Sequence, residues 1–205
     1  MADWDDNSPE LEENLKQVQR RIRQDASDRK LPTIEAARHW QAETMHALDV
    51  PDPKYIGAFR GEPGLENVQV HMAGRYGVSA DEVAAELAHF EEVLQRAVKR
   101  LDELIPLGAE ANADQLAAVI RSCAWAHAEW VRIHPFANGN GRTARLWANS
   151  LAMRYGLPPF LCLRPRPEGG YGTASRRAMH GDWEPTVTVF YELLEEFLNH
   201  PDSDT

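Results

Sequence analysis

The chain has 205 residues, 43% of them hydrophobic, which is enough for one compact domain with a core. Its net charge of −10 argues against general binding to nucleic acid or to anionic membrane surfaces. No apolar run approaches the ~20 residues of a membrane span, and the acidic amino terminus lacks the apolar stretch of a secretory signal, so we expect a cytoplasmic protein.

Two helices are predicted at the start of the chain. Apolar residues recur at helical spacing from Leu11 to Ile22, which predicts a helix over about 9–25 with Ser8 as its N-cap and Pro9 in its first turn. Thr33 is the predicted N-cap of a second helix, about 34–48. Its inward-facing candidates are Ala37, Trp40 and Met45. We therefore expect residues 1–50 to form a helical extension of the domain. We expect residues 201–205 to form a disordered tail.

The segment from Tyr55 to Val78 carries the only clear β signal. Several glycines and a proline precede the alternating stretch Val68–Met72, a pattern typical of a short β-hairpin. A surface hairpin with no functional role is the alternative interpretation at this stage.

Helices dominate the rest of the chain. Ser79 is the predicted N-cap of a long helix, with apolar positions at a 3.6-residue period from Val83 to Leu104. The next helix starts at Asn112 or Asp114 and ends near Ile133. Three further helices are predicted at about 141–155, 171–179 and 185–199. The predicted fold class is all-α, mainly a helical bundle, with one short β-hairpin. Cys123 and Cys162 lack CxxC spacing and favour free thiols, although a disulfide stays open.

The stretch His134–Arg145, with the sequence HPFANGNGRTAR, holds the most specific chemistry. A histidine titrates near neutral pH and can accept a proton from an attacking hydroxyl, so His134 is the candidate general base. The next residues can point backbone N–H groups at an anion, and two arginines three apart share one helix face. These phosphate-binding candidates are Gly139, Asn140, Gly141, Arg142 and Arg145.

Alternatives exist for single members of this stretch. A lone histidine is more often hydrogen-bonded in a turn, and Asn-Gly alone often marks a plain turn. The combination with two arginines favours transfer of a phosphate-bearing group. His127 lies seven residues before His134 with no matched third ligand, so a zinc site is disfavoured and a structural role is expected.

The stretch resembles the signature of the Fic family, His-Pro-Phe-x-acid-Gly-Asn-Gly-Arg-x-x-Arg, with Asn138 at the acid position. The resemblance implies the Fic fold over 51–200 and protein adenylylation, the transfer of AMP from ATP to a hydroxyl side chain of a target protein. It also implies that His134 is the base, that the 139–141 amides and Arg142 contact the phosphates, and that Arg145 contacts the γ-phosphate.

In the family, the acid holds Mg²⁺, so Asn138 is the weak candidate metal ligand for Mg²⁺ or Mn²⁺. An amide offers a neutral oxygen and no charge to a hard cation. Three outcomes follow: slow adenylylation, another reaction on the same fold (a different nucleotidyl or phosphoryl transfer, or removal of AMP), or a nucleotide-binding regulatory module with weak catalysis.

The resemblance also implies partners. Fic proteins carry a flap that pairs with an extended target segment, and Val68, Gln69 and Val70 are the predicted docking residues. Tyr171 is placed either beside the adenine ring or in the core. The nearest match to the family's inhibitory helix contains Glu13, but an ordinary acidic helix explains that segment better. A separate inhibitor protein, as in the toxin–antitoxin branch, stays open, and so does the absence of any inhibition.

Overall fold

The computed structural model describes residues 8–72 and 74–200. In that part of the chain it has seven α-helices, a 3₁₀ turn at Pro53–Tyr55 and one two-stranded antiparallel hairpin. The helices are α1 (Pro9–Ser27), α2 (Ile34–Thr44), α3 (Val83–Leu104), α4 (Ala113–Ile133), α5 (Asn140–Arg154), α6 (Tyr171–Ala178) and α7 (Glu184–Asn199). The hairpin pairs β1 (His71–Met72) with β2 (Arg75–Tyr76). The predicted all-α class with a short hairpin is confirmed, and the predicted tail at 201–205 lies outside the described residues.

Short-range capping signals set the starts of three helices. The hydroxyl of Ser8 accepts hydrogen bonds from the first amides of α1, and the hydroxyl of Thr33 accepts one from Ala36 in α2. Asn112 and Gln115 form a reciprocal capping box at the start of α4. These three starts agree with the sequence prediction, and of the two candidates for α4 the structure selects Asn112.

The predicted start of α3 is wrong by about one turn. Ser79 does not cap the helix, because its hydroxyl donates to the carboxylate of Glu82 and the chain makes a turn before the helix begins at Val83. The predicted inward position at Leu104 is also wrong, since this side chain is 41% exposed where the helix ends. The apolar positions from Val83 to Leu101 are buried as predicted.

The hairpin is smaller than predicted and is shifted along the chain. Val68, Gln69 and Val70 precede the first strand, and each strand holds two residues. Val70 is buried and its carbonyl accepts a hydrogen bond from Gly77, so this residue anchors the base of the hairpin. The alternation that predicts a strand at Val68–Met72 therefore reflects a buried anchor next to an exposed turn.

The core is centred on α4 and α5, which pack against each other with α1, α2, α3 and α7 around them. An aromatic cluster fills the contact region, and its ring centroids lie 4.7–6.4 Å apart. Its members are Trp40, Phe59, Phe90, Trp130, Phe136 and Trp147. Because α4 and α5 lie at the centre of the molecule, the loop that joins them is held on a rigid base.

Two further sequence expectations concern cysteine and membrane segments. Cys123 and Cys162 are free thiols; the first is buried and the second is half-buried. Among the described residues, no helix combines the length and apolar character needed to cross a bilayer.

Candidate active site

A cleft of about 390 Å³ opens between the hairpin, the loop after α4 and the start of α5. The structure brings His134, Asn138, Gly139, Asn140, Gly141, Arg142 and Arg145 to its wall. Gln69 and Val70 border it from the hairpin side, together with strand β1. Arg166, Tyr171 and Ser175 border it from the segment before α6 and from α6 itself. Cleft volumes of this size suit a small-molecule ligand.

His134 ends α4 in the left-handed backbone conformation, with φ of 54°. Residues other than glycine adopt this conformation uncommonly, at a cost of about 1–2 kcal/mol. The turn directs the imidazole back onto its own helix, where Nδ1 lies 2.9 Å from the carbonyl oxygen of Val131. Only a protonated Nδ1 can donate to a carbonyl, so this contact selects the tautomer in which Nε2 carries the free lone pair.

Burial lowers the pKa of His134 to about 4, and the nearby Arg60 charge acts in the same direction. The hydrogen bond to Val131 opposes this shift without cancelling it. The imidazole is therefore neutral at physiological pH and can accept a proton through Nε2.

Arg60 joins the hairpin to the end of α4. Its buried guanidinium donates to four main-chain carbonyls, those of Val68, Val78, Ile133 and His134, at 2.6–3.3 Å. Burial lowers its pKa to about 10, so it stays charged. These contacts give Arg60 a structural role at the base of the hairpin.

Gly77 lets the hairpin approach His134 closely. A Cβ at this position would lie 2.6 Å from Cβ of His134 and 3.1 Å from the Arg60 guanidinium, which is closer than side chains tolerate. Gly77 was not singled out from sequence. Its only local signal is a glycine after a short β pattern, and the contact that requires it is tertiary.

The loop between His134 and α5 is held by side-chain contacts. The Asn140 amide makes two 2.8 Å hydrogen bonds with the backbone of Phe136, one as donor and one as acceptor. Gly139 adopts a φ of 86°, and a Cβ there would lie 3.0 Å from the Met45 side chain. Gln41, a residue missed from sequence, donates to the carbonyl of Asn138 at 3.4 Å. The loop therefore keeps its shape without a ligand.

This arrangement changes one sequence expectation. Asn140 is a phosphate-binding candidate from sequence, but both polar groups of its side chain are bonded to the backbone of Phe136. What Asn140 offers to a ligand is its backbone N–H, together with those of Gly141 and Arg142 in the first turn of α5. These amides have no acceptor within the helix, and the helix dipole makes this end favourable for an anion.

Arg145 is held at the other end of the cleft by α6. Its guanidinium donates to the Tyr171 hydroxyl at 3.1 Å and to the Leu163 carbonyl at 2.9 Å. The same hydroxyl lies 2.7 Å from Nε2 of His127. Burial lowers the pKa of His127 to about 3, so it is neutral and accepts the hydroxyl proton. Tyr171 is buried and positions an arginine, and His127 has the structural role expected from sequence.

The residues of the cleft do not suit a divalent cation. Asn138 is the only predicted metal ligand, and its side-chain oxygen lies 3.3 Å from the Arg142 guanidinium. No aspartate or glutamate belongs to the described lining, and no cluster of three potential protein ligands exists in residues 8–72 and 74–200. Mg²⁺ prefers charged oxygen ligands and is repelled by a fixed cation, so the donor set does not fit it.

Glu13 does not face the cleft. Its carboxylate is exposed on α1, where it accepts hydrogen bonds from Arg20 and Gln17. In this conformation Glu13 belongs to an ordinary amphipathic helix, the interpretation favoured from sequence.

Comparisons with known proteins identify the family of the chain. The sequence model of the Fic/DOC family matches residues 12–152. A protein adenylyltransferase Fic of Culex quinquefasciatus is 39% identical over 90 residues, which are 43% of this chain and 18% of that protein. A protein of the same name from Drosophila grimshawi is 30% identical over 148 residues, 72% of this chain and 26% of that protein. The chain thus spans about a fifth to a quarter of these curated relatives.

Solved structures show the same fold. A Fic domain containing signaling protein from Bacteroides thetaiotaomicron superposes with a TM-score of 0.68 at 20% identity, over 93% of this chain and 69% of that one. The BepC protein from Bartonella tribocorum, solved with bound AMPPNP, gives a TM-score of 0.59 at 17% identity, over 89% of this chain and 85% of that one.

Proposed function

Because the chain belongs to the Fic/DOC family, we propose that it is a protein adenylyltransferase, which transfers AMP from ATP to a hydroxyl side chain of a target protein. The relatives named protein adenylyltransferase Fic support this activity. The observation that carries the proposal is the contact between Nδ1 of His134 and the carbonyl oxygen of Val131. The bond from Nδ1 to Val131 leaves Nε2 as the proton acceptor, in the same cleft as the α5 amides and two arginines.

In the proposed reaction, the target hydroxyl oxygen attacks the α-phosphorus of ATP in line with the leaving group. A bond forms between that oxygen and phosphorus, and the bond from phosphorus to the α–β bridging oxygen breaks. The hydroxyl proton passes to Nε2 of His134, and pyrophosphate leaves with the bonding electrons. The first amides of α5, Arg142 and Arg145 hold the phosphates and stabilise the developing charge.

The buried environment of His134 favours this role. With its pKa lowered to about 4, the His134 imidazole is fully neutral at pH 7 and needs no prior proton loss, whereas an imidazole with an ordinary pKa near 6.5 is still partly protonated at that pH. An arriving polyphosphate adds negative charge to the cleft and raises the pKa of His134, which strengthens it as a base when substrate is present.

The target is proposed to bind along the hairpin. Its residues Gln69, Val70, His71 and Met72 line the mouth of the cleft. An extended target segment can pair with a strand edge here and bring its hydroxyl to His134.

The first experiment incubates the purified protein with ATP, GTP, CTP or UTP, in Mg²⁺, in Mn²⁺ or in EDTA, and measures the intact mass. We expect a gain of one AMP with ATP, on the protein itself or on an added acceptor. His134→Ala should lower the rate at least 100-fold, the range for loss of a general base. His89→Ala, which changes an exposed histidine on α3, is the matched control and should keep the full rate. A mass gain that matches another nucleotide would mean that this nucleotide, and not ATP, is the donor.

A second candidate function is a nucleotide-binding module with weak catalysis, favoured by the pairing of Asn138 with Arg142. Under this alternative, ATP binds but no nucleotide is transferred. Absence of any mass gain, both in the parent protein and in Asn138→Asp, would replace the enzyme proposal with this one.

A further inference from the structure

The charge of the cleft is opposite to that of the whole chain. The chain carries a net charge of −10. The described lining of the cleft contains three arginines, Arg142, Arg145 and Arg166, and no carboxylate. A concave site lined by one sign of charge focuses the electric field and attracts the opposite sign. The cleft is therefore built to attract a polyanion.

Two of these arginines are fixed before any ligand arrives. Arg142 and Arg145 are each 4% exposed, and Arg145 is held by Tyr171 and Leu163. The Nε atom of Arg145 has no hydrogen-bond partner in the described chain. Burying such groups is costly unless charge or hydrogen bonds compensate, so a bound anion would stabilise them.

Arg166 adds a third guanidinium at the Arg145 end. Its Nη2 atom lies 4.0 Å from the position of a Cβ on Gly172, directly after Tyr171, whose hydroxyl accepts from Arg145. Pro165 and Pro167 flank Arg166, which restricts its backbone. The arginine is exposed and lines the cleft.

The position that would face a metal is occupied by a cation. The Arg142 guanidinium donates to the side-chain oxygen of Asn138, so a divalent ion at Asn138 would compete with a fixed positive charge for a neutral ligand. A planar guanidinium binds phosphate oxygens in a bidentate manner and supplies both charge and direction.

We infer that this cleft binds the polyphosphate of its nucleotide through Arg142, Arg145 and Arg166 without a protein-held divalent cation, and that it binds metal-free ATP at least as tightly as the magnesium complex. The choice of ATP rests on the proposed function, whereas the preference for a metal-free polyphosphate rests on the arginines and on Asn138. Metal-free ATP carries more negative charge than its magnesium complex, and three guanidinium groups match that charge.

Isothermal titration calorimetry with ATP, AMP and inorganic tripolyphosphate, in EDTA and in Mg²⁺, tests the inference. For the parent protein, we expect the Kd of ATP in EDTA to be equal to or lower than that in Mg²⁺. Arg166→Gln should raise the Kd of ATP and of tripolyphosphate at least fivefold in EDTA, and the Kd of AMP less than twofold. Arg176→Gln is the matched control, because Arg176 is exposed on α6 and bonded to Thr173, and it removes the same charge away from the cleft.

Asn138→Asp supplies the reverse test. The added carboxylate should shift the preference toward the magnesium complex by at least tenfold relative to the parent protein, because it provides the charge that a hard cation requires. If Asn138→Asp does not fold, two measurements still test the inference. They are the Kd of ATP in EDTA and in Mg²⁺ for the parent protein, and the change in Kd caused by Arg166→Gln.

Two results would overturn the inference: ATP binding that is more than tenfold weaker in EDTA than in Mg²⁺, or equal effects of Arg166→Gln and Arg176→Gln. These results are separable from failure of the proposed function. Tight metal-free binding of tripolyphosphate without AMP transfer supports the inference and removes the enzyme. AMP transfer accompanied by loss of ATP binding in EDTA would support the proposed function and overturn the inference.

Discussion

The motif loop at 134–145 and the hairpin at 69–76 border the same cleft but are built in opposite ways. In the loop, the polar side chains of Asn140 and Arg145 are buried and bonded to the protein itself. In the hairpin, each strand has two residues, and Tyr76 is 64% exposed. Catalysis needs groups held in place before the substrate arrives, whereas docking of an extended segment needs an open strand edge.

The two regions meet at Gly77 and Arg60. Arg60 bonds to carbonyls on both sides, and Gly77 leaves room for His134. Val70 and Gly77, at the base of the hairpin, are thus part of the rigid region. Only the two strands beyond them, His71–Met72 and Arg75–Tyr76, belong to the exposed region, and we call these strands the tip. Substitutions at the base, in the loop and at the tip should therefore have effects that decrease in this order.

The largest effect is expected for Gly77→Ala. The added methyl would lie 2.6 Å from Cβ of His134, so the histidine or the hairpin base must move. Misplacement of a catalytic group by about 1 Å can cost roughly 100-fold in rate. We expect a loss of this size in AMP transfer, followed by mass spectrometry, with the Kd for ATP changed less than threefold.

Gly74→Ala is the control for this substitution. It changes a glycine in the hairpin turn that has a φ of +88° but no atom within 4 Å of the added methyl. It should strain the turn without touching His134 and retain most of the activity. If Gly77→Ala kept more than half of the parent rate, the hairpin base would not be coupled to the function proposed for His134.

Much of the rigid region was predictable from sequence because its signals are local. The caps at Ser8, Thr33 and Asn112 act within four residues, and the motif at 134–145 occupies one continuous stretch. The predicted cap at Ser79 is wrong because a serine followed by an acid three positions later can also form a side-chain pair in a turn. Ser79 and Glu82 form such a pair.

The contacts that complete the site were not predictable in this way. Gln41 lies on α2, almost 100 residues before the loop that it supports. Arg166 reaches the cleft from the segment that precedes α6. Glutamine and arginine at such positions are normally solvated in water, and only the packing of distant elements brings them to a cleft. Sequence reasoning therefore located the residues of the motif but not Gln41, which supports the loop, or Arg166, which lines the cleft.

An intermediate effect is expected for Asn140→Ala, and the chain contains a natural control. The Asn149 amide makes two hydrogen bonds with the backbone of Leu161, at 2.8 and 3.0 Å. Asn140 makes the same arrangement with the backbone of Phe136. Each substitution removes two buried hydrogen bonds, so each should lower the free energy of unfolding by about 2–4 kcal/mol, measured by urea denaturation.

The two variants should differ in function. Asn140→Ala releases the loop that presents the α5 amides, so we expect ATP affinity to fall about tenfold. Asn149→Ala acts away from the cleft and should leave ATP affinity unchanged. Equal losses of affinity in both variants would mean that general destabilisation, and not the shape of the loop, controls binding.

The smallest effect is expected at the hairpin tip, where Tyr76→Ala removes an exposed ring that faces His71 at 5.1 Å between centroids. An exposed residue contributes little to the folded state, so stability should change by less than about 0.5 kcal/mol. If the tip docks the target, the KM for a protein acceptor should rise about threefold to tenfold, while kcat and the Kd for ATP stay constant.

Tyr191→Ala, which removes a half-exposed tyrosine on α7, should change none of these values. A fall in kcat for Tyr76→Ala would place the tip in the rigid region with His134, and an unchanged KM would move target docking away from the hairpin tip.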